Sequence, residues 1–337
     1  LRSAGTALRN YRARCHCFIV RSQVLRNSRC GKIKILPLSF LRGNDSAGVL
    51  TQVKTPARTM NNNFLDLYFT RIKYSQSPRV NLQTLRDLHL LHLQHIPYEN
   101  IDVFCHQAVN LDADTLTQKI LMRQRGGYCF EQNGLFLMAL TELGFKCHAN
   151  MARVHRNRPQ PGARTHQVNM VELEGQIWLC DVGFGGSGFR HPLMLQAEVE
   201  VEQLGEIYRL HEDEVHGFYL QKKILQEWHP LYTFKIEPAL SIDIEMANFY
   251  TSNFPDHHFR NAIMGTKMTS PGRVTLLDHT FKAFDLTKGT LEKETVTDFA
   301  AYLGNLQAHL GVQLNESEKA LLKVRFATLK PPGADTL

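Results

Sequence analysis

Cys129 stands in the string Arg125-Gly126-Gly127-Tyr128-Cys129-Phe130-Glu131-Gln132-Asn133, and a helical pattern begins directly after it. His166 and Asp181 follow downstream. A thiolate nucleophile, an imidazole base and a carboxylate that orients the imidazole can together take an acyl group onto sulfur and pass it on. At the start of a helix, unpaired amide N–H groups and the helix dipole favour an anion, and a neighbouring imidazolium favours a thiolate. A lone cysteine beside an apolar run is more often a core thiol. Here the Arg-Gly-Gly turn before it and the His and Asp after it favour chemistry.

The later two residues fall in a segment that reads as a β-hairpin. Strands over 167–173 and 176–182 are joined at Glu174-Gly175. A two-residue turn there sets Val168 opposite Asp181, with His166 two positions further along the same strand. Side chains alternate, so His166, Val168 and Asp181 share one face. Such a diagonal pair lies about 7 Å apart between backbones, within reach of a carboxylate and an imidazole. A register slip of one residue would put them on opposite faces.

The elements that must hold these residues are mainly helical from 61 to 143. Phe64, Leu67 and Phe69 lead, and Leu82, Leu85, Leu88 and Leu91 recur on one helical face. Pro97 interrupts the run. A third helix spans about 129–143, with Phe130, Phe136, Leu137, Leu140 and Leu143 on one broad face and Gly144 as its stop. The period then changes: Phe145, Cys147, Ala149 and Met151 alternate as in a strand. A loop rich in Arg, Pro and Gly covers 156–164. Further short strands are expected over 208–234, irregular chain over 247–259, strand over 273–286 and helix over 297–310.

The chain has 337 residues, 43% of them hydrophobic, enough for a large core and two or three domains. It has no uninterrupted apolar run of about 18 residues, so no membrane span or membrane partner is expected. The net charge of +7 is concentrated at one end. Residues 1–59 hold nine Arg and three Lys against one acid, Asp45, for +11. The remainder has 27 basic and 31 acidic residues, or −4. Nucleic-acid binding therefore gains no support from the body of the chain. The basic stretch reads as a transit-like segment, a disordered tail, or sequence upstream of a start at Met60. Its Cys15-His16-Cys17 and Cys30 match no usual zinc spacing, so no metal is expected. Cys105, Cys147 and Cys180 read as reduced core thiols, which fits a cytoplasmic setting.

The string around Cys129 resembles the active-site signature of the arylamine N-acetyltransferases. The resemblance extends to Ile96-Pro97-Tyr98-Glu99-Asn100, to Thr165-His166-Gln167-Val168-Asn169, to Asp181-Val182-Gly183-Phe184-Gly185-Gly186 and to Ala247-Asn248-Phe249-Tyr250-Thr251-Ser252. It covers nearly all of 60–337. It implies an α+β fold: a helical domain over 60–143 carrying the nucleophile, a β-barrel domain over 144–252 carrying His and Asp, an interdomain segment over 253–270 and an α/β lid over 271–337. It implies Cys129 as acyl-accepting nucleophile, His166 as base and acid, and Asp181 as the third member. Acetyl-CoA would be a co-substrate rather than a permanently bound cofactor. The acceptor would be an arylamine, a hydrazine or an N-hydroxyarylamine.

Weaker signals attach to the same segments. Gly183-Phe184-Gly185-Gly186-Ser187-Gly188 matches a dinucleotide pattern, but Pro192 follows too soon for the helix that pattern needs. A glycine loop lining the substrate or CoA cleft is the alternative. Arg125 is expected to pair with Glu99 or Asp102 in structural support. The resemblance places Tyr250, Asp256 and His258 near CoA, with Gly185 of the glycine loop beside them; Asp256 would repel phosphate, and His257 and His258 read also as solvated loop residues. Lys267 and Arg273 are candidates to neutralise phosphates or ordinary surface charges. Thr165, Tyr128 and Phe184, with His166, are expected around the acceptor. Three other readings stay open: an amide synthase, a cysteine hydrolase or transglutaminase-like enzyme with the same triad, and a binding module with a decayed site.

Overall fold

The computed structural model describes residues 64–155 and 162–330. The basic stretch 1–59, Met60, the Cys15-His16-Cys17 and Cys30 group and most of the 156–164 loop lie outside the described residues.

Helices come first. They are α1 (Phe64–Ile72), α2 (Leu82–His95), α3 (Ile101–Phe104), α4 (Ala113–Leu116) and α5 (Cys129–Glu142), with a two-residue strand β1 (Tyr98–Glu99) after Pro97. Leu85 and Leu88 of the leucine series are fully buried, and Leu82 and Leu91 half-buried, against Phe64, Tyr68, Leu135 and Phe136. The Asn81 side chain caps α2 by accepting the Thr84 N–H at 2.8 Å. α5 ends at Leu143, and Gly144 takes φ +88°, a left-handed turn that glycine adopts without strain.

Antiparallel strands follow: β2 (Lys146–Val154), β3 (Arg164–Leu173), β4 (Gln176–Cys180), β5 (Leu193–Met194), β6 (Val201–Gln203), β7 (Glu206–Asp213), β8 (Gly217–Ile224) and β9 (Glu227–Pro238). Their order is β5-β4-β3-β2-β9-β8-β7-β6. Leu173 faces Gln176 and Asn169 faces Cys180, the register expected from the Glu174-Gly175 turn. One short link draws the two ends of this order together. Leu195 N–H donates to the Ile177 carbonyl on β4, and Glu198 N–H donates to the Leu210 carbonyl on β7. The result is a nearly closed barrel around Val168, Met170, Leu179, Phe189, Leu220 and Tyr232.

The irregular chain expected over 247–259 is confined to 254–257, which links α6 (Ser241–Asn253) to α7 (His258–Asn261). The sequence hides α6 because its polarity is inverted: Asn248, Thr251 and Ser252 are buried while Ile242, Met246 and Phe249 are exposed. Next come β10 (Met264–Met268), β11 (Gly272–Leu277), β12 (Thr280–Asp285), β13 (Thr290–Thr295), α8 (Phe299–Asn305) and α9 (Glu316–Phe326). The stretch 273–286 is therefore a hairpin turning at Asp278-His279, not one strand. β1 joins β10–β13 in a five-stranded sheet, whose Ile263, Val274, Leu276 and Phe281 pack with Tyr302, Leu306 and Phe326. The architecture is α+β.

A buried ion network ties these parts to the loop before α5. Arg125 has no exposed surface. Its Nε donates to Glu99 at 2.9 Å, Nη2 to Asp102 at 2.7 Å and Nη1 to Glu318 on α9 at 2.7 Å. A π-helical turn after α4, Thr117–Met122, brings Lys119 inward, 2.6 Å from both Asp102 and Glu131. Replacing Arg125 strands buried carboxylates without their cation. We expect Arg125→Leu to cost about 3–5 kcal/mol. Urea unfolding should show a lower midpoint with an unchanged slope.

Candidate active site

Cys129 opens α5, with only 4% of its surface exposed. The Tyr128 N–H before it donates to the Glu131 carboxylate at 3.0 Å, which fixes the entry of the chain into the helix. The Cys129 sulfur lies 3.8 Å from the Thr165 carbonyl oxygen. Gly183 crosses against it. A Cβ at 183 would lie 2.8 Å from Cys129 Cα and 2.9 Å from its carbonyl oxygen, so only glycine permits this approach.

The hairpin register delivers the other two residues. His166 Nε2 lies 2.7 Å from Asp181 Oδ2, and the Cys129 sulfur is a further partner of the imidazole. The second Asp181 oxygen accepts from Asn133 Nδ2 and from the Gly183 N–H, both at 2.9 Å. The carboxylate is thus fixed from three sides. Burial alone would push the His166 imidazolium down, but the charge and hydrogen bond of Asp181, with Cys129, raise it to about 10. Burial pushes the Asp181 carboxyl up, but His166, Asn133 and Gly183 together hold it below its usual value.

Asn133, four residues after Cys129 and hence on the same helix face, is the residue that sequence reasoning left without a role. Its Oδ1 also accepts the Val182 N–H at 3.0 Å. Two buried histidines of α2 went unread as well. His89 Nε2 accepts the Asp181 N–H at 3.1 Å. His92 is 2.7 Å from Gln132 Oε1, and Gln132 Nε2 donates to the Gly127 carbonyl at 3.1 Å. Aromatic rings wall the imidazole: Phe184 at 5.3 Å and Tyr232 at 5.2 Å between centroids.

A cleft of about 1230 Å³ reaches the thiol. Cys129, Thr165, His166, Phe184, Gly185, Tyr250 and His258 all line it, as do Asp256 and His257. Tyr128 does not. Its ring is fully buried, and its hydroxyl donates to the Asn248 side chain, so it packs beneath the site instead of facing an acceptor. Of the two cations expected near phosphate, Lys267 stands away from the cleft, half-buried near Arg71 and Lys73. Arg273 lines the cleft but is clamped by Glu206. The glycine loop 183–188 is turns and bends with no helix after it, which excludes the dinucleotide reading. Cys105, Cys129, Cys147 and Cys180 are free thiols. No group of three or more metal-ligating side chains occurs among the described residues, and among them no helix is long and apolar enough to cross a membrane.

The N-acetyltransferase family model matches residues 81–319. An Escherichia coli arylamine N-acetyltransferase is 35% identical over 279 residues, covering 80% of this chain and 98% of that protein. The chain belongs to the arylamine N-acetyltransferase family. A Salmonella typhimurium relative, named arylamine N-acetyltransferase / N-hydroxyarylamine O-acetyltransferase, is 33% identical over 268 residues, 79% of this chain and 95% of that one. The Mycobacterium marinum arylamine N-acetyltransferase solved in complex with CoA is 32% identical, with a TM-score of 0.72 over 78% of this chain and 98% of that one. In this member of the family, Cys129, His166 and Asp181 meet at the cleft.

The titration has a definite sign. A His166 raised to about 10 contributes stability in full below its ordinary range near 6.5 and loses it as pH climbs through about 10. The lowered Asp181 contributes above the ordinary carboxylate range and loses it in acid. Asp181→Asn removes the charge that outweighs burial. The His166 midpoint, followed by ¹⁵N NMR of the imidazole, should then fall toward or below neutrality, whereas the native ring stays protonated from pH 6 to 8.

Proposed function

We propose that the protein transfers acetyl groups from acetyl-CoA to arylamines through an acetyl-Cys129 intermediate. The observation that carries this reading is the meeting of Cys129, His166 and Asp181 at the cleft. In the first half-reaction the Cys129 thiolate attacks the thioester carbonyl. A new C–S bond forms, the C–S bond to CoA breaks, and the leaving sulfur takes its proton from the His166 imidazolium. In the second half the amine nitrogen attacks the acetyl carbon and the Cys129 thiolate leaves. His166 takes up the amine proton, which returns the site to its starting charge. Cys129 opens α5, and a helix N-terminus favours negative charge such as that developing on the carbonyl oxygen. Asp181 keeps the imidazole oriented in both halves.

Donor and acceptor have separate supports. The CoA complex of the M. marinum relative favours acetyl-CoA as donor. Tyr250, His258 and Gly185 are the residues of this cleft assigned to it. Phe184 offers an apolar ring beside His166 for an aromatic acceptor, with Thr165 on the same wall. The name of the S. typhimurium relative extends the acceptors to the hydroxyl oxygen of N-hydroxyarylamines, and hydrazines offer a nucleophilic nitrogen as arylamines do. An amide synthase or a cysteine hydrolase would use the same triad with another donor.

Intact mass after mixing with acetyl-CoA alone tests the intermediate. Wild type should gain about 42 Da and Cys129→Ala should gain nothing, with the adduct lost on adding an arylamine. Two-substrate kinetics should give parallel reciprocal plots. Turnover that survives in Cys129→Ala would overturn the mechanism.

A further inference from the structure

The chemistry above uses neither of the two histidines buried in α2, yet one of them touches the triad. The β3–β4 ladder ends at the Asn169–Cys180 pair, so the Asp181 amide has no strand partner. That amide is buried and must find an acceptor elsewhere. Three successive amides past the strand end are each taken by a side chain. Val182 donates to Asn133 Oδ1 and Gly183 to Asp181 Oδ1. Asp181 itself donates to His89 Nε2 at 3.1 Å. His89 comes from α2, 92 residues earlier, and so anchors Asp181 from outside the hairpin and α5.

The ring is specified on its other edge too. His89 Nδ1 is 2.8 Å from the Arg190 carbonyl, which can only accept. The proton therefore sits on Nδ1, and the lone pair on Nε2 faces the Asp181 amide. Phe189 stacks on the ring at 5.5 Å and Phe136 meets it edge-on at 5.7 Å, leaving little room to rotate. Burial holds the imidazole down to about 4, despite the Arg190 carbonyl and the Asp181 charge and with the help of His191. It is neutral wherever the triad works.

We propose that His89 is a positioning residue for the triad, setting through the Asp181 amide where the Asp181 carboxylate meets His166. The proposal rests on the reading of Cys129, His166 and Asp181 as the working set. If the amide loses its acceptor, the main chain at 181 must shift to find another, and the carboxylate shifts with it. Among the described residues, Asp181 and Cys129 act most strongly on His166, flanked by the Phe184 ring and the ring of Tyr232, whose own hydroxyl is titratable and interacts with Asp181. A displaced carboxylate therefore registers directly as a lower His166 midpoint.

Two polar substitutions separate the two edges of the ring. His89→Gln places an oxygen near the Nε2 position and keeps an acceptor for Asp181. His89→Asn places its amide near Nδ1, keeps the bond to Arg190 and abandons Asp181. His92→Gln is the control, equally buried but bonded to Tyr68 and Gln132. We expect His89→Asn to lower the His166 midpoint and slow acetyl-cysteine formation roughly ten- to hundredfold, at an unchanged half-saturating acetyl-CoA concentration. His89→Gln and His92→Gln should keep the native midpoint. In the wild-type protein, a scalar coupling across the N–H···N bond should link the Asp181 amide nitrogen to His89 Nε2, which decides the matter even where a variant does not fold. The absence of that coupling, or equal midpoint losses in His89→Asn and His89→Gln, would overturn the proposal. Both readouts are independent of turnover. A wild-type protein that shows them but takes no acetyl group would instead count against the acetyl-cysteine mechanism.

Discussion

A guanidinium with no access to water must be surrounded by carboxylates, and the Arg125 requirement organises much of the molecule. Its partners come from three places: Glu99 in β1, Asp102 in α3 and Glu318 in α9. The Arg-Gly-Gly turn that delivers Cys129 to the start of α5 is therefore fixed from both the helical part and the far end of the chain. Buried ion pairs of this kind add little net stability compared with apolar packing, because desolvation offsets much of their attraction. What the network does here is specify: few other arrangements satisfy all three carboxylates together with Lys119 and Glu131.

Around that fixed turn, the site combines two kinds of order. The hairpin supplies alternation, which puts His166 and Asp181 on one face. α5 supplies helical spacing, which puts Asn133 on the same face as Cys129, one turn deeper. Asn133 bridges them, because its amide meets the Gln167 carbonyl, the Asp181 carboxylate and the Val182 N–H at once. Cys129 and His166 thus sit on separate elements that the Asn133 side chain helps to tie together. The close approach of Gly183 to Cys129 follows from the same junction.

The triad was legible because its signals are local and periodic: a short turn fixes a register, and a register fixes a face. The Arg125 partners Glu99 and Asp102 were legible through the family resemblance, whereas Glu318 was not, since nothing in the sequence brings α9 to that turn. His89 and His92 escaped because they stand among the leucines of α2, where spacing marks the buried face but not which polar residues share it. α6 was missed for the opposite reason. Asn248 sits inside, donating to the Val109 carbonyl and accepting from the Tyr128 hydroxyl, while Ile242, Met246 and Phe249 face out. Hydrophobic periodicity assumes that polarity marks the surface, and this helix inverts it. Tyr128 was misassigned through the same pair. Lying next to Cys129 in sequence does not put a side chain in the cleft when its partner lies below.

The long reach of Arg125 also has a meaning in time. Glu318 lies 193 residues after Arg125. At ribosomal speeds of about 5–20 residues per second, roughly 10–40 s separate the synthesis of the two. Throughout that interval the guanidinium has only its upstream carboxylates, Glu99 and Asp102, and the turn before Cys129 lacks the contact from α9. A ribosome that stalls before α9 therefore leaves a nascent chain in which Cys129, His166 and Asp181 are all present while the turn before Cys129 still lacks its Glu318 contact.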